Sequence, residues 1–186
     1  MKELRTLLTS VCLLLACHSS HAQEWSVATN AADWINLGTL NAEGSVATGR
    51  HTTLNVSARY NPWTFQDREG AQMQNRRQTY AAGVRFWPWY VYSGWWAGAK
   101  LQYEEYNRGG ILEQSTEEGD AVGAGISAGY TLMVHRNFNL EFGAGIWGGW
   151  KEYTVYSCPR CGRITESGQK WFIAPNEILL SLVFIF

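Results

Sequence analysis

Apolar and polar residues alternate one by one over most of this chain, most cleanly at its end. Ile178, Leu180, Leu182, Phe184 and Phe186 share one parity. Glu177, Leu179, Ser181, Val183 and Ile185 share the other. Successive strand residues face opposite sides, so the stretch predicts a strand with one wholly apolar face and one tolerant face. In water such a terminal strand frays and aggregates. In a bilayer a closed barrel turns that face to lipid and pairs the edge with its first strand. A buried strand of a soluble sandwich is the competing reading of the stretch taken alone.

Seven further alternating runs precede it: 25–35, 40–48, 51–61, 78–87, 92–106, 121–133 and 138–153. The eighth lies inside 170–186. In the third, Leu54, Val56, Ala58 and Tyr60 oppose Asn55, Ser57, Arg59 and Asn61. In the fifth, Trp95, Ala97, Ala99, Leu101 and Tyr103 oppose Trp96, Gly98, Lys100, Gln102 and Glu104. The connections alternate too. Short ones at 49–50, 88–91 and 134–137 separate long polar ones at 66–77, 107–120 and 157–169. That rhythm is typical of outer-membrane barrels, with short periplasmic turns and longer surface loops. The expected fold is all-β, an eight-stranded antiparallel up-and-down transmembrane β-barrel.

At the other end, Lys2 and Arg5 precede an apolar run from Leu7 to Ala16, followed by Ser20-His21-Ala22. A basic n-region, an h-region too short to span and a small-x-small site predict a cleaved signal peptide over 1–22. The barrel then occupies 23–186. Leu14-Leu15-Ala16-Cys17 also fits a lipoprotein signal with a lipidated Cys17. Either route exports the chain.

Composition changes the picture only a little. The part after residue 22 lacks the ~20-residue apolar run that a spanning helix needs. Ten Trp and 19 Gly suit a barrel with aromatic girdles. A net charge of −1 gives no footprint for nucleic acid. Partners expected are outer-membrane lipid and the barrel-assembly machinery, with the chain a monomer.

Thr29-Asn30, Tyr60-Asn61-Pro62-Trp63-Thr64-Phe65, Cys158-Pro159-Arg160-Cys161-Gly162 and the apolar-aromatic C-terminus follow in this order. Together they resemble a domain-of-unknown-function family of Bacteroidetes outer-membrane β-barrel proteins, small OmpA/OmpX-like barrels. The resemblance implies no catalytic residues and no cofactor. It implies an association with fimbrial or surface-polysaccharide components. Leu182, Phe184 and Phe186 resemble the C-terminal membrane-insertion signal of bacterial outer-membrane barrels.

Three chemistries use a Cys-x-x-Cys such as Cys158 and Cys161. A zinc site needs further ligands, and a second such pair is absent after residue 22. Thioredoxin-like redox work needs a helix N-terminus, and no helix pattern is present here. The third is a disulfide pinching the last loop, favoured by an oxidising compartment.

The inward polar set is Glu43, Arg59, Arg85, Lys100, Glu104, Glu141 and Glu177. Its carboxylates invite an acid–base reading. An eight-stranded barrel is filled by its own side chains, however, so a lumen charge network is the expectation. Inward glycines at 123, 125, 129, 143 and 145 leave room for Trp96, Trp147 and Arg85. His51 and His135 fall at short turns, and no nucleophile motif accompanies them, which argues against an enzyme at the outer rim. Lumen filling argues against a narrow channel. Trp63, Trp87, Trp89, Trp95, Trp150 and Trp171 are expected in interfacial belts. Binding then falls to the long loops, one basic (Arg68, Arg76, Arg77), one acidic (Glu113, Glu117, Glu118, Asp120) and one pinned by the Cys pair at 157–169, unless the basic and acidic loops simply pair with each other.

Overall fold

A computed structural model describes residues 25–66, 72–109, 115–157 and 162–186. The elements in order are β1 (Trp25–Asn30), α1 (Ala31–Ile35), β2 (Leu40–Ala47), β3 (Thr52–Asn61) and β4 (Thr64–Gln66). Then come β5 (Gln72–Phe86), β6 (Gly94–Gly109), β7 (Thr116–His135), β8 (Phe138–Tyr156) and β9 (Ile164–Ile185). All pairings are antiparallel. Each strand pairs with its sequence neighbour, except that β3 pairs with β5 as well as β2, and β1 pairs with β9. Those two pairings close a ring of eight strands, with β4 a stub beside β5.

The ring is strongly staggered. From Ala28 the pairing passes through Glu43, Ser57, Ala81, Gln102, Gly123 and Gly149. It returns to β9 at Phe172, although Ala28 itself pairs with Val183. Such an offset tilts the strands and lets a small barrel close. Pro175 marks a bulge in β9, where Gly145 pairs with Glu177 and Ile146 with Pro175. Proline lacks the N–H for a ladder, so it belongs at such a break. Upstream of the bulge the parity of β9 flips, bringing Asn176 into the lumen beside Glu177.

Two expectations need correcting. The first run does not stay extended to residue 35. The Asn30 side chain accepts a hydrogen bond from the Ala32 amide at 3.2 Å and caps α1. Leu37 (φ 53°) and Gly38 (φ 70°) then turn the chain back toward β2. Local capping outweighs the alternating pattern here. Nor are the described parts of the long polar stretches loops throughout. Ladder pairing continues through Gln74↔Gly109, Gly109↔Thr116 and Tyr156↔Ile164. Cross-strand polar pairs support it, such as Asn107 Nδ2 to Glu118 Oε2 at 2.9 Å and Tyr156 Oη to Glu118 Oε1 at 2.6 Å. Polar residues stand on both faces of this section, so it gives no apolar alternation to read. The barrel therefore has a low wall at β1–β3 and a tall one at β6–β9.

Inside, the short-turn end is closed by aromatics. Trp87 is 1% exposed and packs with Tyr92 and Trp96. It belongs to the lumen and not to an interfacial belt, because it continues the inward parity of Gly83 and Arg85. Its Nε1 donates to Thr53 Oγ1 at 3.2 Å. Trp96 lies across Gly129, where an added Cβ would stand 2.6 Å from its ring. The other tryptophans named for belts, Trp63, Trp89, Trp95, Trp150 and Trp171, are exposed.

Candidate functional site

The inward polar residues stack in layers along the lumen. Nearest the aromatic plug, Arg85 bridges Glu43 Oε1 at 2.8 Å and Glu141 Oε1 at 3.1 Å. Its guanidinium also lies 4.2 Å from the Trp96 ring centroid. Thr131 Oγ1 donates to Glu141 Oε2 at 3.0 Å, and Asn55 Nδ2 donates to Glu43 Oε1 at 3.1 Å. One layer on, Glu177 accepts from Lys100 Nζ at 2.7 Å and from Arg59. Arg59 continues to Asp33 Oδ2 at 3.0 Å, and Arg77 reaches Asp33 Oδ1 at 3.4 Å. Glu104 joins through Gln102, whose Nε2 is 3.4 Å from Glu104 Oε2. Gln102 and the bulge residue Asn176 exchange amide bonds at 3.1 and 3.0 Å.

Asp33 was missed in the sequence because its segment alternates like a strand. The signal that could have found it is Asn30 followed three residues later by an acid, the signature of a helix start. On α1, Asp33 reaches inward over the lumen. Buried Asn30 ties α1 to β9, donating to Ile178 O at 3.0 Å and accepting from the Leu180 amide at 2.9 Å.

Beyond these layers, at the tall end, Glu117 accepts from Lys151 Nζ at 2.6 Å and Tyr106 Oη at 2.7 Å. Burial alone would raise its pKa. The bonds from Lys151 and Tyr106 outweigh burial and hold the Glu117 carboxyl below its ordinary value. Tyr106 is pushed up, first by burial and then by its bond to Glu117.

The arrangement can neutralise and rigidify. Among the described residues no group of three or more His, Cys, Asp or Glu is placed to hold a metal ion. His51 sits at a short turn with Nδ1 2.9 Å from Trp87 O, and His135 ends β7. Cys158 and Cys161 lie outside the described residues, as do 1–22 and Cys17.

The C-terminal trio sits on the outer face. Phe184 packs edge-on against Phe138 with centroids 5.0 Å apart, and Phe186 follows at 5.8 Å from Phe184. Leu182 and Phe184 pair with Thr29 and Val27, and Phe186 exchanges backbone bonds with Trp25 at 3.0 and 3.2 Å. The last strand thus closes the ring on the first.

One family model matches the sequence of this chain. It is described as a protein of unknown function, DUF3575, and covers residues 8–186. The chain belongs to this family. No curated protein and no solved structure matches it. DUF3575 therefore supplies a family without a reaction, and function rests on the geometry above.

Proposed function

We propose that this DUF3575 chain is a non-enzymatic barrel of the bacterial outer membrane, of the small OmpA/OmpX-like kind. In this reading it is exported by a cleaved signal over 1–22. It is assembled by the barrel-assembly machinery and held in lipid. Its tall end binds a fimbrial or polysaccharide component of the envelope.

One observation carries the reading: a continuous belt of large apolar side chains on the outside of a closed ring. Val56, Leu101, Val122, Ile126, Ile146 and Ile178 all point outward, and Leu101 is 70% exposed. Apolar troughs run between these rows. The larger has a volume of about 1300 Å³ and crosses from Leu54 on β3 to Ile173 on β9. A soluble monomer seldom carries so large an apolar patch, whereas lipid tails fill it at no cost. The aromatic plug and the paired lumen charges support a sealed, non-conducting barrel. Among the described residues no helix is long and apolar enough to cross a membrane.

The test is fractionation of cells expressing the tagged chain, with a gel of boiled and unboiled outer membranes. The expected result is a heat-modifiable band in the outer membrane. A soluble, detergent-independent protein would defeat the reading. Phe186→Asp should lower the outer-membrane level several-fold, because a charge on the lipid face at the rim opposes insertion. For the binding part, crosslinking in intact membranes compares the natural chain with one lacking 109–118. Unchanged partners after deletion would leave a purely structural barrel.

A further inference from the structure

β9 has β8 beside it from Ile164 to Phe184, but β1 beside it only from Ser181 to Ile185. At Ile178 and Leu180 the Asn30 side chain takes the place of a missing strand. Upstream of that, among the described residues, no strand pairs with the second edge of β9. Residues 166–174 therefore form an open sheet edge of regular spacing, bounded by Pro175, which cannot extend it.

Soluble and membrane barrels alike dispose of such edges. Here the edge is neither short nor masked by charge on its outer face. Trp171 is 75% exposed and Ile173 is 84% exposed, and the larger apolar trough ends on both. On the inner face, Tyr153 of β8 holds two opposite charges in place. Lys170 Nζ lies 4.2 Å from its ring centroid, and Glu166 accepts from its hydroxyl. The strip thus presents three things at strand spacing: free backbone donors and acceptors, two apolar side chains outward, and one cation and one anion inward.

We propose that this edge is a docking strip for an extended polypeptide segment of an envelope partner, which adds to β9 as a further strand. The partner's outward residues are apolar, to cover Trp171 and Ile173. Its inward residues carry an acid opposite Lys170 and a base opposite Glu166. A sugar chain lacks the repeating amide pattern that the edge demands. A second copy in the same membrane is excluded by tilt, since a two-fold axis along the membrane normal makes two tilted β9 edges cross. The inference deepens the binding reading above, naming the partner's chemistry, and rests on it.

The probe is a short fluorescent peptide of alternating valine and charged residues, with the acid and base placed as described. It is titrated against the full chain folded in micelles. An analogue N-methylated at alternate residues keeps every side chain and loses the backbone donors. Expected are saturable binding of the plain peptide, at least tenfold weaker binding of the analogue, and slowed amide exchange confined to 166–174. Trp171→Asp should weaken binding about tenfold while the heat-modifiable shift persists. Equal binding of the analogue would overturn strand addition. So would edge amides already protected in lipid nanodiscs without peptide, because lipid would then be the cover. Loss of the heat-modifiable shift in the natural chain would instead sink the membrane reading, so the two failures stay distinguishable.

Discussion

The plugged half of the lumen and the tall wall hold themselves together by opposite means. Around Arg85 the charges are buried, interlocked and backed by Trp87 and Trp96. Along β6–β8 the polar pairs are only part-buried, as with Asn107 and Glu118. A buried ion whose partner is removed costs several kcal/mol, whereas an exposed pair contributes about 0–1 kcal/mol. The barrel therefore tolerates change unevenly. Its rigid part is the filled lumen, and the wall above can vary while the ladder beneath it stays intact.

The largest effect should come from unbalancing the lumen. Arg85→Ala leaves Glu43 and Glu141 facing each other, and a loss of about 3–5 kcal/mol is expected in denaturant unfolding from micelles. Replacing Arg85 and Glu141 together with apolar residues of similar size should cost clearly less. Equal losses for the single and double variants would erase the contrast between the two regions. Next comes the plug: Trp87→Ala should cost about 3–5 kcal/mol by opening a cavity, with Thr53 Oγ1 losing the bond from Trp87 Nε1 while it keeps its own to Asn55.

A smaller effect belongs to pH. The carboxyl of Glu117 titrates below its ordinary 4.5 when folded. Its contribution is therefore fully present above 4.5 and disappears as pH falls through the lower folded value. Amide exchange in 116–119 and around Lys151 should quicken over that acid window, with the Glu117→Gln variant indifferent to it. Partial exposure keeps the effect under about 1 kcal/mol. The smallest change is expected for Asn107→Ala, about 0.5 kcal/mol or less. A loss comparable to that of Arg85→Ala would mean that the tall wall is as coupled as the lumen.

Where one face of a strand is greasy and the other polar, the sequence was readable. The outward rows of β3, β6, β7 and β8, the parity of Arg59, Arg85, Lys100 and Glu141, and the closing role of β9 all follow from alternation. It failed where alternation carries no information. The upper wall is polar on both faces, so Gln72 to Gln78, Asn107 to Gly109 and Thr116 to Asp120 resemble loops although they pair in register. It also failed where a local bond outweighs pattern, as at Asn30, which hid α1 and Asp33. Trp87 was misplaced for another reason: composition suggested a belt, while its own parity already placed it inside. Ion-pair partners depend on which strands meet across the lumen, and only the ring shows that Arg59 of β3 meets Glu177 of β9.

The brevity of β1 sets how the ring breathes. The seam between β1 and β9 holds five paired residues, against nineteen between β8 and β9. A zipper with so few teeth closes last, since its two strands stand at opposite ends of the chain and bring the largest loop-closure entropy. It also reopens first when the barrel warms. The long hairpins from β5 to β9 then remain as one curved sheet, waiting for a six-residue latch.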